Sequence, residues 1–179
     1  TKTIRQTGPM TADKRLAVYV LFNVLVLAAA FMYVRQYLDA VPIFNHEGFV
    51  ERSKNTLFGL SFFTSPRPFT VDLLYKLWGS RPEQIVIGQQ CLLMLSWIIL
   101  SIGIGSLTRA TALRFISAIV FPCFMFWWNI LGWTFVMRSE AVSFSLFALW
   151  LAALLFFIQK PQRPLLVLLI ITTFFFSFT

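Results

Sequence analysis

Five long apolar runs occupy most of this chain, and they constrain its backbone more than any other feature. A run that spans a bilayer core must bond its own N–H and C=O groups, and a helix does this within one segment. The runs are Leu16 to Val34, Ile85 to Leu107, Phe115 to Met137, Ala141 to Ile158, and a last one that opens at Leu165 and is still apolar at Thr179. With 58% of its 179 residues hydrophobic and 12% charged, the chain has too few polar side chains to cover a water-exposed surface. The predicted fold class is therefore all-α, a polytopic transmembrane helical bundle. Residues 1–179 are expected to form the N-terminal part of a transmembrane domain.

The first run has the length of a signal peptide plus a margin, but no small-residue cleavage pattern follows it. Tyr33, Arg35 and Tyr37 look like an interfacial anchor, so it is read as a retained span. The fifth run, Leu165 to Thr179, gives roughly 22 Å of helix against a core of about 30 Å. It ends in Phe-rich sequence without a polar anchor, which leads to the expectation that polypeptide and further spans follow it.

The formal charge is +8, and in a soluble domain that balance would raise nucleic acid as a partner. Here the basic residues flank apolar runs, where they set topology or meet lipid phosphates, so membrane lipids are the expected partners and no nucleic acid is. With the N-terminus cytoplasmic, the short inner pieces hold Lys2, Arg5, Lys14, Arg15, Arg109, Arg114, Lys160 and Arg163 against Asp13 alone. The outer pieces are close to neutral. Cys91 and Cys123 both lie within apolar runs, which supports neither a disulfide framework nor a zinc site.

The sizeable polar segment is the external loop 36–84, and it carries most of the acids. Two amphipathic helices fit it, both lying in the membrane interface. The first runs from about Glu47 to Leu57, with Glu47, Glu51 and Lys54 on one side. The second runs from about Pro68 to Trp78, with Pro68 at the first helical position and Asp72 pairing with Lys76 four residues on. They either form a cavity wall or bridge two distant spans.

Three places carry chemistry. Glu47, in Asn45-His46-Glu47, would sit near headgroup level, where low dielectric and basic neighbours tune a carboxyl; it is equally suited to meet the exposed N–H groups of a helix start. His46 is the single histidine and cannot build a zinc site, although with Glu47 and a substrate phosphate it could hold a divalent cation. Arg138-Ser139-Glu140 opens the fourth span, where Ser139 is the natural cap, Glu140 suits the helix dipole, and Arg138 reaches phosphate. Inside the spans Asn23, Gln89, Gln90 and Asn129 are expected to face helices or a wet cavity, and Gly103 and Gly105 to permit close helix approach. None of the four polar residues is charged, which disfavours a proton or ion pump.

In this order, a basic N-terminus, a span, a long outer loop with an early acid and two interfacial helices, then paired spans, the chain resembles the N-terminal half of the GT-C glycosyltransferases. Those membrane enzymes use polyprenyl-phosphate sugars, and they include protein mannosyltransferases and bacterial aminoarabinose transferases. Phe44 to Phe49 matches the family's early acidic motif, with Glu47 in the acidic position and His46 where the family often has Asp. Arg67 to Gly79 is similar to the second loop helix, and Arg138 to Ala141 to the segment opening the fourth span. The resemblance implies a GT-C-like fold in a bacterial inner membrane. It implies transfer of a sugar from a polyprenyl phosphate to a hydroxyl or amine on the external face. Glu47 would be the base and Glu140 a second acid, with Arg138, His46 and Arg67 binding substrate. The competing reading is a non-catalytic subunit that scaffolds a membrane protein complex; a transporter is a third, less suited because the polar residues gather at one face.

Overall fold

Helices account for nearly all of the described backbone in the computed structural model, which describes residues 12–37, 48, 51, 53–54, 69–108, 110–125, 132–137 and 139–179. They are α1 (Ala12–Tyr37), α2 (Phe69–Leu77), α3 (Pro82–Leu107), α4 (Thr111–Met125), α5 (Ser139–Gln159) and α6 (Arg163–Ser177), with a 3₁₀ turn at Gly132–Phe135. Among the described residues there is no β-strand. Two helices, α3 and α5, are long and apolar enough to cross a membrane.

Local sequence explains where these elements begin and stop. Pro82 and Pro164 stand in the first turns of α3 and α6, where the missing N–H would have no helical partner in any case. Between α2 and α3 the chain reverses through Gly79 (φ 100°) and Ser80 (φ 56°), and the Ser80 N–H returns to the Tyr75 carbonyl at 2.9 Å. Glycine suits that left-handed position because it has no Cβ to clash.

The second loop helix is found where expected, as Phe69–Leu77. The first, predicted from Glu47 to Leu57, lies largely outside the described residues. Within the third apolar run, predicted as one span from Phe115 to Met137, the described helix is Thr111–Met125 and Gly132–Phe135 is a 3₁₀ turn, with residues 126–131 outside the described residues.

In the packing, α3 touches α1, α4 and α5, and α5 in turn carries α6. On α5 the buried residues Ala141, Ser145, Ala148 and Ala152 recur on one face, a stripe of small side chains that lets backbones approach. Gly103 of α3 meets Leu155 and Phe156 of α5, and a Cβ there would sit at ordinary contact distance, 3.6 Å or more. Large apolar side chains such as Leu21, Leu25, Ile116, Ile119, Val167 and Ile170 are exposed, while Asn23, Gln89, Gln90, Ser96 and Ser101 are buried. Apolar side chains outside and polar ones inside is the polarity that helices in hydrocarbon require.

One end of the bundle is fastened by polar contacts. The Tyr19 hydroxyl of α1 donates to the Ser101 carbonyl of α3 at 2.8 Å and lies 3.2 Å from Ser117 Oγ of α4. Arg114 Nε donates to the carbonyls of Gly105 (3.1 Å) and Thr108 (2.9 Å), satisfying acceptors that the end of α3 leaves open. Gly105 is bare because a Cβ would overlap the Tyr19 ring and hydroxyl. Gly105→Ala is therefore expected to destabilise the protein by about 1–3 kcal/mol, as overpacking does, whereas Gly103→Ala is expected to cost less than about 1 kcal/mol. Thermal unfolding of both variants in one detergent checks the contrast.

Candidate functional site

At the other end, α2 lies against the starts of α3 and α5 and the end of α6. Its inward face is mixed in character. Val71 and Tyr75 join Ile85, Met137, Val142 and Leu146 in an apolar core, with Leu74, Trp78, Phe175 and Phe176 packed around it. On the same face Thr70 and Asp72 are each 1% exposed. The Thr70 hydroxyl donates to the Phe175 carbonyl at 3.3 Å, and Phe69 meets Phe178 in a tilted ring contact with centres 5.3 Å apart, so α2 is held to the end of α6 as well.

The polar side chains meet at Tyr75, which is fully buried. Gln89 Nε2, from the second turn of α3, donates to its hydroxyl oxygen. Burial pushes the Tyr75 phenol far above its ordinary value of 10.0, and the nearby charges of Asp72 and then Glu140 push it further in the same direction. Tyr75 is thus held neutral; of the two acids that act on it, Asp72 belongs to α2 and Glu140 to the first turn of α5. Lys76 Nζ donates to the Ser53 carbonyl at 3.2 Å.

Beside this cluster runs an apolar groove of about 510 Å³ between α2 and α3, lined by Leu74, Trp78, Gln84, Ile87, Gly88, Cys91, Leu92 and Leu95. Its wall is set by the Trp78 ring, which lies so close on Gly88 that a Cβ there would overlap it. Cys91 and Cys123 are both free and exposed. The arrangement offers carboxyl oxygens as proton acceptors and a neutral phenol as a hydrogen-bond donor, next to a surface fitted to aliphatic chain.

Of the site residues expected from sequence, the structure places Glu140 in this cluster. His46, Glu47, Arg67 and Arg138 lie outside the described residues, and so does the cation expected with His46 and Glu47. Sequence reasoning missed Tyr75 and took Asp72 only as a partner for Lys76. A signal was present: Val71, Asp72 and Tyr75 stand at i, i+1 and i+4, one helical face with a carboxyl and a phenol inside the apolar stripe. Gln89, chosen as an interior polar residue, is in the cluster. No protein-family model, no curated protein and no solved structure matches the chain.

Proposed function

We propose that this chain belongs to a membrane glycosyltransferase of the GT-C kind, transferring a sugar from a polyprenyl phosphate to a hydroxyl or amine acceptor. The observation that supports the reading is that the charges of Asp72 and Glu140 both bear on the buried Tyr75 phenol, beside an apolar groove. In this scheme the acceptor oxygen or nitrogen attacks the sugar's anomeric carbon. The bond from that carbon to the phosphate oxygen breaks, its electron pair leaves with polyprenyl phosphate, and the acceptor's proton goes to a carboxylate. Glu47 is the assigned base and Glu140 the second acid. Arg138, Arg67 and His46 steady the departing phosphate by charge and hydrogen bonding. The chain would lie in a bacterial inner membrane with its N-terminus cytoplasmic and α2 at the external face, where the site would be reached from both lipid and water.

The burial of Tyr75 and Asp72 favours a second reading, in which the cluster specifies packing in a non-catalytic subunit of a membrane complex. Reconstituted protein given a radiolabelled polyprenyl-phosphate sugar separates the two. Release of free polyprenyl phosphate above an empty-vesicle control is expected, and a folded, monodisperse protein with none would leave the scaffolding reading standing.

A further inference from the structure

A second groove, of about 610 Å³, lies at the opposite end of the bundle between the end of α3 and the first turns of α4. Its walls are almost wholly apolar, with Thr108 and Ser117 as the polar exceptions. Leu113 and Ile116 are each more than half exposed, so the groove opens sideways to whatever surrounds the helices. In a membrane that is acyl chain.

Arg114 follows the lining residue Leu113 in the chain and is bonded to the lining residue Thr108, so the protein itself orients it beside the groove. Its Nε is fixed on the carbonyls of Gly105 and Thr108, the second a lining residue, and its own carbonyl accepts from the Ser117 hydroxyl at 2.7 Å. Its two Nη groups carry no hydrogen bond or ion pair among the described residues. The sequence offers little to neutralise them. From Gln84 to Ser139 and from Ala141 to Thr179 there is no Asp or Glu, and Glu83 and Glu140 belong to the far end. Asp13 near the start of α1 is followed directly by Lys14 and Arg15, and Arg109, Lys160 and Arg163 add further positive charge to this end. A guanidinium at a hydrocarbon boundary with its fork open is matched in geometry and charge by a phosphate diester.

We propose that this groove is a binding site for one acidic phospholipid, with its phosphate on Arg114 and an acyl chain lying along Ile104, Leu113, Ile116 and Val120. The apolar wall fits any acyl chain, while the excess of cations disfavours a headgroup that brings a quaternary amine. This inference does not depend on the glycosyltransferase reading.

Native mass spectrometry of the detergent-purified protein, titrated separately with phosphatidylglycerol and with phosphatidylcholine of the same acyl chains, tests it. The expected result is one bound lipid with phosphatidylglycerol preferred about fivefold or more. Arg114→Gln should bring the preference close to one. Because that change also removes the bonds to the end of α3, Ile116→Trp gives an independent arm. It fills the groove from a half-exposed position without touching the arginine, and should weaken phosphatidylglycerol binding at least about fivefold. The double variant Lys160→Gln, Arg163→Gln, which lowers the general charge of that end, should keep most of the preference. Equal binding of the two lipids by the unaltered protein, an undiminished preference in Arg114→Gln, unchanged binding in Ile116→Trp, or loss of preference in the Lys160 and Arg163 double variant would each overturn the proposal.

Discussion

Tyr75→Ala is expected to lower the stability of the protein by about 3–5 kcal/mol, the range for removing a buried aromatic ring. The ring is fully buried and shares one core with Val71, Ile85, Met137 and Val142. Nothing nearby can close the resulting cavity cheaply, because α2 is tied to α6 through Thr70 and Phe69 on the same side. Tyr75→Phe keeps the ring and removes the hydroxyl, and with it the acceptor of the Gln89 amide, so about 1–3 kcal/mol should be lost.

The phenol also fixes a pH dependence. Its folded-state pKa lies above its unfolded value of 10.0, so its contribution is complete below about pH 10 and declines as the unfolded chain ionises above it. Between those two pKa values the unprotected protein should lose about 1.4 kcal/mol per pH unit more than Tyr75→Phe does. Chemical unfolding in detergent at pH 8, 10 and 11, followed by tryptophan fluorescence, measures both effects. A Tyr75→Ala protein as stable as the parent would mean that α2 is not seated on the bundle.

Glu140→Gln is expected to reduce sugar transfer about 10²–10⁴-fold, the span for losing a positioned acid or base. The substitution preserves the size of the side chain and its hydrogen-bonding capacity while removing the charge. Glu140 sits in the first turn of α5, where the helix dipole favours a carboxylate, so loss of the charge should cost the fold only about 0.3–1 kcal/mol. A large fall in turnover combined with a small change in melting temperature would separate chemistry from stability. Turnover within about threefold of the parent would assign Glu140 to packing and leave the proton transfer to Glu47.

The helical elements were largely legible in the sequence because a bilayer imposes long uninterrupted apolar runs, and α3 and α5 fall on two of the predicted ones. The interior positions of Asn23, Gln89 and Gln90 were legible for the same reason, since an amide in hydrocarbon turns toward protein. The 3₁₀ turn at Gly132–Phe135 was not legible, because apolar composition alone does not distinguish a helix from a tight turn inside an apolar run. The burial of Asp72 was not legible for a different reason: four-residue spacing to Lys76 places two charges near each other on a helix, but it does not tell which face of a nine-residue helix distant parts of the chain will cover.

The contacts that hold the two ends differ in how much chain they enclose, and this bears on the order of assembly. Arg114 meets Gly105 across nine positions, whereas Gln159 meets Gly103 across 56, Tyr19 meets Ser101 across 82, and Thr70 meets Phe175 across 105. Closing a short loop costs less entropy than closing a long one, so the corner joining α3 to α4 should set first and the anchorage of α2 last. Site-specific crosslinking of ribosome-bound chains of increasing length would read that sequence of events. During synthesis the Tyr75 pocket would then stay unfinished until its final wall emerges, and a nascent chain halted before Phe175 would already have its cationic corner but not yet its carboxylate one.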